Sequence, residues 1–188
     1  MTPGQIALII VVVLAIVAVA AIALVTRSRR LRAKFGPQYD RAVEETGNRF
    51  KAEAKLEKAE KRVKSYDLRP LTAVDRDRFQ QSWRAIQSQF VDNPSAAFLD
   101  ADRLLSEVMT ARGYPPKDFE DRATEISVNH ATVCENYRAG HDIAIRQSER
   151  KATTEDLRQG MVHYRALFDE LVTEEPVPLR ARAATQNV

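Results

Sequence analysis

The sequence predicts an all-α protein: one N-terminal transmembrane helix, then a charged helical stalk, then a small helical bundle. Three observations carry that expectation. Ile6 to Val25 is an unbroken run of 20 apolar residues. Beyond it, apolar residues recur at spacings of three and four, the period of a helix with one buried face. No stretch keeps the two-residue alternation and turn signals of a half-buried strand. The chain has 188 residues, 44% hydrophobic and 29% charged, yet no charged residue lies among the first 26. The run is too long for an ordinary core helix and the remainder too polar for a second span. A multi-span transporter, a single-chain channel and a freely soluble enzyme are therefore disfavoured.

Twenty helical residues reach about 30 Å, the thickness of the hydrocarbon core. Only Met1 to Gln5 precede the run, whereas Arg27, Arg29, Arg30, Arg32 and Lys34 follow it closely. Cations flanking a span stay on the cytoplasmic side. The expectation is thus an uncleaved anchor over residues 1–26 in a bacterial inner membrane, with the N-terminus outside and the rest in the cytoplasm. Ala18-Val19-Ala20 and Ala21-Ile22-Ala23 each offer a small-residue cleavage site, so secretion after signal cleavage is the alternative, against which stand the length of the run and its lack of a basic start. A single cysteine, Cys134, agrees with a reducing compartment.

Residues 27–66 form the basic juxtamembrane segment and charged helix. Gly36-Pro37 should end the helix that leaves the membrane. From Tyr39 to Tyr66 the pattern is helical, with Tyr39, Val43, Thr46 and Phe50 on one stripe and Leu56, Ala59, Val63 and Tyr66 on a second, offset one, so the helix should present a drifting face or bend between them. Residues 27–64 hold 13 Lys or Arg against 6 Asp or Glu, a net of +7; the whole chain carries +3, which leaves −4 for the remainder. The arginines and Lys34 of the octet Arg27–Lys34 read as uncompensated charge facing anionic headgroups. Further on, Lys55, Lys58, Lys61, Arg62 and Lys64 alternate with Glu53, Glu57 and Glu60, which should pair with them and dilute the field.

Residues 67–172 are expected to form one bundle in a soluble part of five or six helices. Leu68-Arg69-Pro70-Leu71 breaks the chain, Thr72 can cap a helix to about Val91, and Phe79, Trp83, Ile86 and Phe90 give it one buried face. Asn93 and Pro94 start the next helix, buried through Ala97, Ala101, Leu104, Leu105 and Val108 and stopped by Gly113-Tyr114-Pro115-Pro116. A short helix with Phe119, Ala123 and Ile126 follows, then one capped by Asn129 and running to about Arg146. Thr153 and Asp156 resemble a capping box ahead of a seam of Leu157, Met161, Tyr164, Phe168 and Leu171. Residues 173–188, with Pro176 and Pro178 and no periodic face, read as a disordered tail.

Catalytic signatures are missing. The six glycines never approach a phosphate-binding pattern, and one cysteine with three histidines cannot make a zinc motif. His130, Cys134, Tyr137 and His141 share one helix face with Val133, Ala144 and Ile145. A thiol beside an imidazole could serve redox or metal chemistry, but His130 and His141 stand about 16 Å apart along the axis, and the face reads better as core with satisfied polar side chains. His163 reads as a packing or surface residue. Glu44-Glu45, Glu120-Asp121 and Glu174-Glu175 are neighbours that point about 100° apart on a helix and form no acid/base pair. No catalytic residue, cofactor, metal or small-molecule substrate is expected.

The segments Phe35-Gly36-Pro37-Gln38-Tyr39-Asp40-Arg41, Leu68-Arg69-Pro70-Leu71, Phe90-Val91-Asp92-Asn93-Pro94, Arg112-Gly113-Tyr114-Pro115 and Met161-Val162-His163-Tyr164-Arg165 resemble a family of uncharacterised bacterial proteins, mainly actinobacterial, with one N-terminal transmembrane helix and an α-helical domain. The resemblance spans about residues 6–172. It implies the anchor-plus-domain architecture, transfers no activity, and includes members regarded as secreted.

The leading functional expectation is a membrane-anchored adaptor or scaffold that binds an unknown protein through the Tyr39–Tyr66 helix and the turns at Asn93-Pro94 and Gly113 to Pro116. The alternatives are an anionic-lipid-binding protein of the membrane surface and, behind it, a redox or metal-binding protein using Cys134 and His130. Nucleic acid is not an expected partner.

Overall fold

A computed structural model describes residues 3–173, which form eight α-helices with no strand among the described residues. The chain divides into two compact units, Met1–Lys58 and Ala59–Val188.

In the first unit, α1 (Pro3–Phe35) continues without a break from the apolar run through the arginines, and it is long and apolar enough to cross a membrane. All residues from 10 to 26 are exposed. Gly36 ends α1 as expected, and Pro37 opens α2 (Pro37–Thr46), where its missing N–H leaves no helical bond unmade. The helix expected from Tyr39 to Tyr66 is two helices. Gly47, at φ +60°, takes the left-handed cap conformation, and its N–H returns to the Val43 carbonyl at 2.9 Å. Asn48 then caps α3 (Arg49–Ser65), its Oδ1 accepting from the backbone N–H of Phe50 at 2.9 Å and of Lys51 at 3.2 Å. The two offset stripes thus belong to two elements. Among the described residues, the buried apolar side chains of this unit are Leu31, Phe35, Tyr39, Ala42, Ala52 and Leu56.

The second unit contains α4 (Ala73–Asp92), α5 (Pro94–Ala111), α6 (Phe119–Ser127), α7 (Ala131–Ser148) and α8 (Thr154–Thr173). Expected caps hold at three starts: Thr72 Oγ1 accepts from Asp75 N at 3.0 Å, Asn93 Oδ1 from Ala96 N at 3.1 Å, and Thr153 with Asp156 closes a reciprocal box at 2.8 and 3.1 Å. The start of α7 differs. His130, not Asn129, is its N-cap, and it makes no side-chain capping bond. α8 packs against α5 and α7, and α4 packs against α5. The expected apolar faces meet there, with Phe79, Trp83 and Ile86 of α4, Leu104, Leu105 and Val108 of α5, and Leu157, Tyr164, Phe168 and Leu171 of α8 in one core.

The division between the two units falls inside α3. Within the second unit, the end of α3 buries Ala59 and Val63, and Arg62 Nε and Tyr66 Oη both donate to Glu125 of α6, at 2.8 Å each. Thr173, placed in the tail by sequence, closes α8; the remainder of the expected tail lies outside the described residues.

Candidate functional site

The five expected membrane-surface residues are not a bare positive cluster. Arg27 donates to both carboxylate oxygens of Glu57 in α3, at 2.7 and 2.8 Å, and Arg32 donates to Asp40 in α2 at 2.6 Å. Lys34 and Arg30 also have partners, and Arg29 is exposed. α2 and α3 fold back to the end of α1 and bring acids with them, which no property of the octet itself could signal. The centre of this arrangement is Glu53, 1% exposed. It accepts from Tyr39 Oη and Arg49 Nε, both at 3.0 Å, and from Ser28 Oγ, to which Arg49 also donates at 2.7 Å. Burial pushes the Glu53 carboxyl up, but the donors Ser28, Arg49 and Tyr39 outweigh it and hold it below the usual carboxylate range.

The reading of α3 reverses in the same way. Glu53 and Glu60 are buried and Glu57 is half-buried, so the acids point inward. Lys64 pairs with Glu60 at 3.1 Å as the spacing implies, and Lys55 reaches Glu45 at 2.8 Å. Lys51, Lys58 and Lys61 are exposed, and their ammonium groups make no ion pair or hydrogen bond among the described residues.

The imidazole and thiol face is a packing face. His130 is buried and its Nδ1 lies 3.2 Å from Glu170 Oε1. Cys134, fully buried, donates its S–H to the Ala123 carbonyl at 3.2 Å. Tyr137 is buried, its hydroxyl accepts from Arg122 at 3.4 Å, and desolvation pushes its pKa up to about 12. His141 stacks on Phe119 with ring centroids 3.5 Å apart, and burial lowers its pKa. Ile145, expected on this face, is 47% exposed. Phe119 is a ring neighbour of both Tyr137 and His141, and no group of three or more His, Cys, Asp or Glu able to hold a metal occurs among the described residues. His163 Nδ1 lies 2.9 Å from Asn136 Oδ1. Of the paired acids, Glu45 bonds Lys55 and Glu120 holds Arg138 through both oxygens at 3.0 and 2.9 Å; Glu174-Glu175 lies outside the described residues.

What the sequence did not show is a groove of about 200 Å³ between α4 and α8. Trp83, Gln87 and Phe90 form one wall; Met161 and Val162 form the other, with Arg158 and Arg165. Trp83 is 5% exposed and stacked on Phe168 at 4.8 Å, yet its Nε1–H has no acceptor among the described residues. Val162 is 54% exposed. Arg158 and Arg165 lean on Glu155 and Asp169 of their own helix at 2.7 and 3.4 Å, exposed pairs that a competing carboxylate displaces at small cost. The missed signal is the stripe Arg158, Val162, Arg165 at spacings of four and three, one step around α8 from the seam. No protein-family model, no curated protein and no solved structure matches the chain.

Proposed function

We propose that this chain is a membrane-anchored interaction protein, an adaptor or scaffold whose helical domain holds a segment of a partner protein in the α4/α8 groove. The observation that carries this reading is Trp83, which lines an apolar groove flanked by two guanidinium groups and whose buried indole N–H has no acceptor among the described residues. A buried donor left unpaired costs about 1–3 kcal/mol, a cost that a bound segment would relieve if the indole turned its N–H to a carboxylate or carbonyl of that segment. The matching occupant is an acidic segment with apolar side chains, whose carboxylates meet Arg158 and Arg165 and whose apolar face meets Phe90, Met161 and Val162. In this reading α1 is an uncleaved anchor of a bacterial inner membrane with the domain in the cytoplasm, because the cations cluster on one side of the apolar run.

The test is a photoreactive residue at Val162 in cells. The expected result is an adduct whose crosslinked peptide carries Asp or Glu beside apolar residues, and which disappears in R158E/R165E. An adduct insensitive to that charge reversal, one joining Val162 to residues 174–188 of the same chain, or no adduct at all rejects the groove as the docking site. For topology, Lys151→Cys in a Cys134→Ala background should resist an impermeant thiol reagent in intact cells; ready labelling would place the domain outside.

A further inference from the structure

We infer that α3 is an interfacial helix whose outer face, carrying Lys51, Lys58 and Lys61, binds anionic phospholipid headgroups at the cytoplasmic end of the span. The placement follows from unit-one contacts. Arg49 meets Ser28, Glu53 meets Ser28 with Arg27 at 3.8 Å, and Glu57 meets Arg27. From Arg49 to Glu57, α3 advances about 12 Å, whereas Arg27 and Ser28 differ by about 1.5 Å along α1. α3 therefore crosses α1 instead of running alongside it. The crossing falls two to three residues after Val25, where the apolar run ends, about 3–5 Å beyond the hydrocarbon. The headgroup layer on each side is about 5–8 Å deep, so the crossing lies within it.

The facing of the helix follows from burial. Among the described residues, those of α1 that are buried are Ser28, Leu31 and Phe35, all at or past the crossing, while residues 10 to 26 are exposed. The buried side of α3, with Ala52, Glu53 and Leu56, belongs to that core, so its opposite side is turned away from the core and back toward the bilayer. At about 100° per residue, Lys51, Ala54, Lys58 and Lys61 fall within about 80° on that opposite side. Phe50 borders them at 60% exposure. An aromatic ring and lysines on one face, with the acids turned inward onto Ser28, Tyr39 and arginines, is the side-chain distribution of a helix that lies in the headgroup plane. The complementary charge is the lipid phosphate.

The test uses the full, unsubstituted chain in vesicles of phosphatidylcholine alone and of phosphatidylcholine mixed with phosphatidylglycerol. A membrane-permeant acylating reagent is applied and each lysine is timed by mass spectrometry. Lys58 and Lys61 are expected to react about fivefold more slowly in the anionic vesicles, the factor given by the headgroup attraction of one lysine, with Lys51 slowed less and Lys151 unchanged. Salt at about 1 M, where the Debye length is about 3 Å, should abolish the difference. Equal rates in both vesicles overturn the inference, and so does slow, salt-insensitive reaction in neutral vesicles, which would mean that protein covers the face. Neither result bears on the Val162 crosslink.

Discussion

Around Glu53 the first unit buries a carboxylate and surrounds it with Ser28, Tyr39, Arg49 and Arg27, beside six buried apolar side chains among the described residues. Around Phe98 the second unit stacks rings: Phe98 on Tyr164 at 5.0 Å and Trp83 on Phe168 at 4.8 Å, inside a core that draws on α4 through α8. The second unit buries ionisable groups as well, Glu60, Arg112, Glu125, His130 and Arg138, with Glu125 bonded by Lys117, Arg62 and Tyr66, but none of them belongs to the ring stack. The difference sets what each unit is sensitive to. Where three short helical pieces cannot enclose much hydrocarbon, directional bonds to one anion hold them, and ionisation decides stability. Where five helices meet, shape decides it.

Phe98→Ala breaks the comparison at its strongest point. It removes a fully buried ring against Tyr164 and should cost about 3–5 kcal/mol, read as lost hydrogen-exchange protection in α5 and α8 with α2 unchanged. Alkali attacks the same unit. Tyr137, buried in this unit, titrates at about 12 instead of its ordinary 10. Its folded pKa is raised, so its contribution is whole below pH 10 and is lost as pH rises toward 12, about 2–3 kcal/mol in all. Tyr164, whose hydroxyl donates to Asp102 at 2.8 Å, is likewise raised by desolvation. Exchange protection in α7 and α8 should fall over that window before α2 responds; loss in α2 first would invert the assignment. Gly140→Ala comes next. A Cβ there would fall into the Tyr164 ring, which its stack on Phe98 and its bond to Asp102 keep from moving, for a cost of about 1–3 kcal/mol.

Acid should attack the other unit. The Glu53 carboxyl is held below the ordinary range, so its contribution is present above about pH 4.3, the unfolded value, and is lost as pH falls through the lower folded one. Glu53→Gln keeps an acceptor and removes the charge, which should weaken the bonds from Tyr39, Ser28 and Arg49 by about 1 kcal/mol and abolish the acid sensitivity of α2 and α3. Unchanged acid sensitivity in that variant would assign it to other carboxylates.

The helical stripes were legible because burial in a bundle imposes the 3.6-residue period directly on the sequence: Phe79, Trp83, Ile86 on α4 and Leu157, Tyr164, Phe168, Leu171 on α8 lie where the spacing puts them. Thr72, Asn93 and Thr153 were legible because a cap is a local bond. Gly47-Asn48 carried an equally local signal, a C-terminal glycine followed by an N-cap, and was obscured by charged residues that suit a helix on either side. Glu53 was not legible by the same rules. Glu53, Glu57 and Glu60 share a face at spacings of four and three, which surface pairing with neighbouring lysines explains equally well; only the return of α3 across Ser28 turns that face inward. The groove was invisible for a related reason, since the spacing that places Met161 and Trp83 on core faces does not say which residues at the edge of the seam remain uncovered.

Cys134 supplies the finest test, because it should register one unit and not the other. Its thiol is fully buried and bonded to the Ala123 carbonyl beneath α7, so alkylation requires the second unit to open. If opening is fast and reversible, the alkylation rate follows the stability of that unit alone. Phe98→Ala should therefore accelerate alkylation by at least about a hundredfold, since each 1.4 kcal/mol is about a factor of ten. Glu53→Gln should leave the rate within about twofold, although it weakens α2 and α3. An equal acceleration by both substitutions would show that the two units open together, and the separate stabilities drawn from charge on one side and ring packing on the other would then collapse into one cooperative transition.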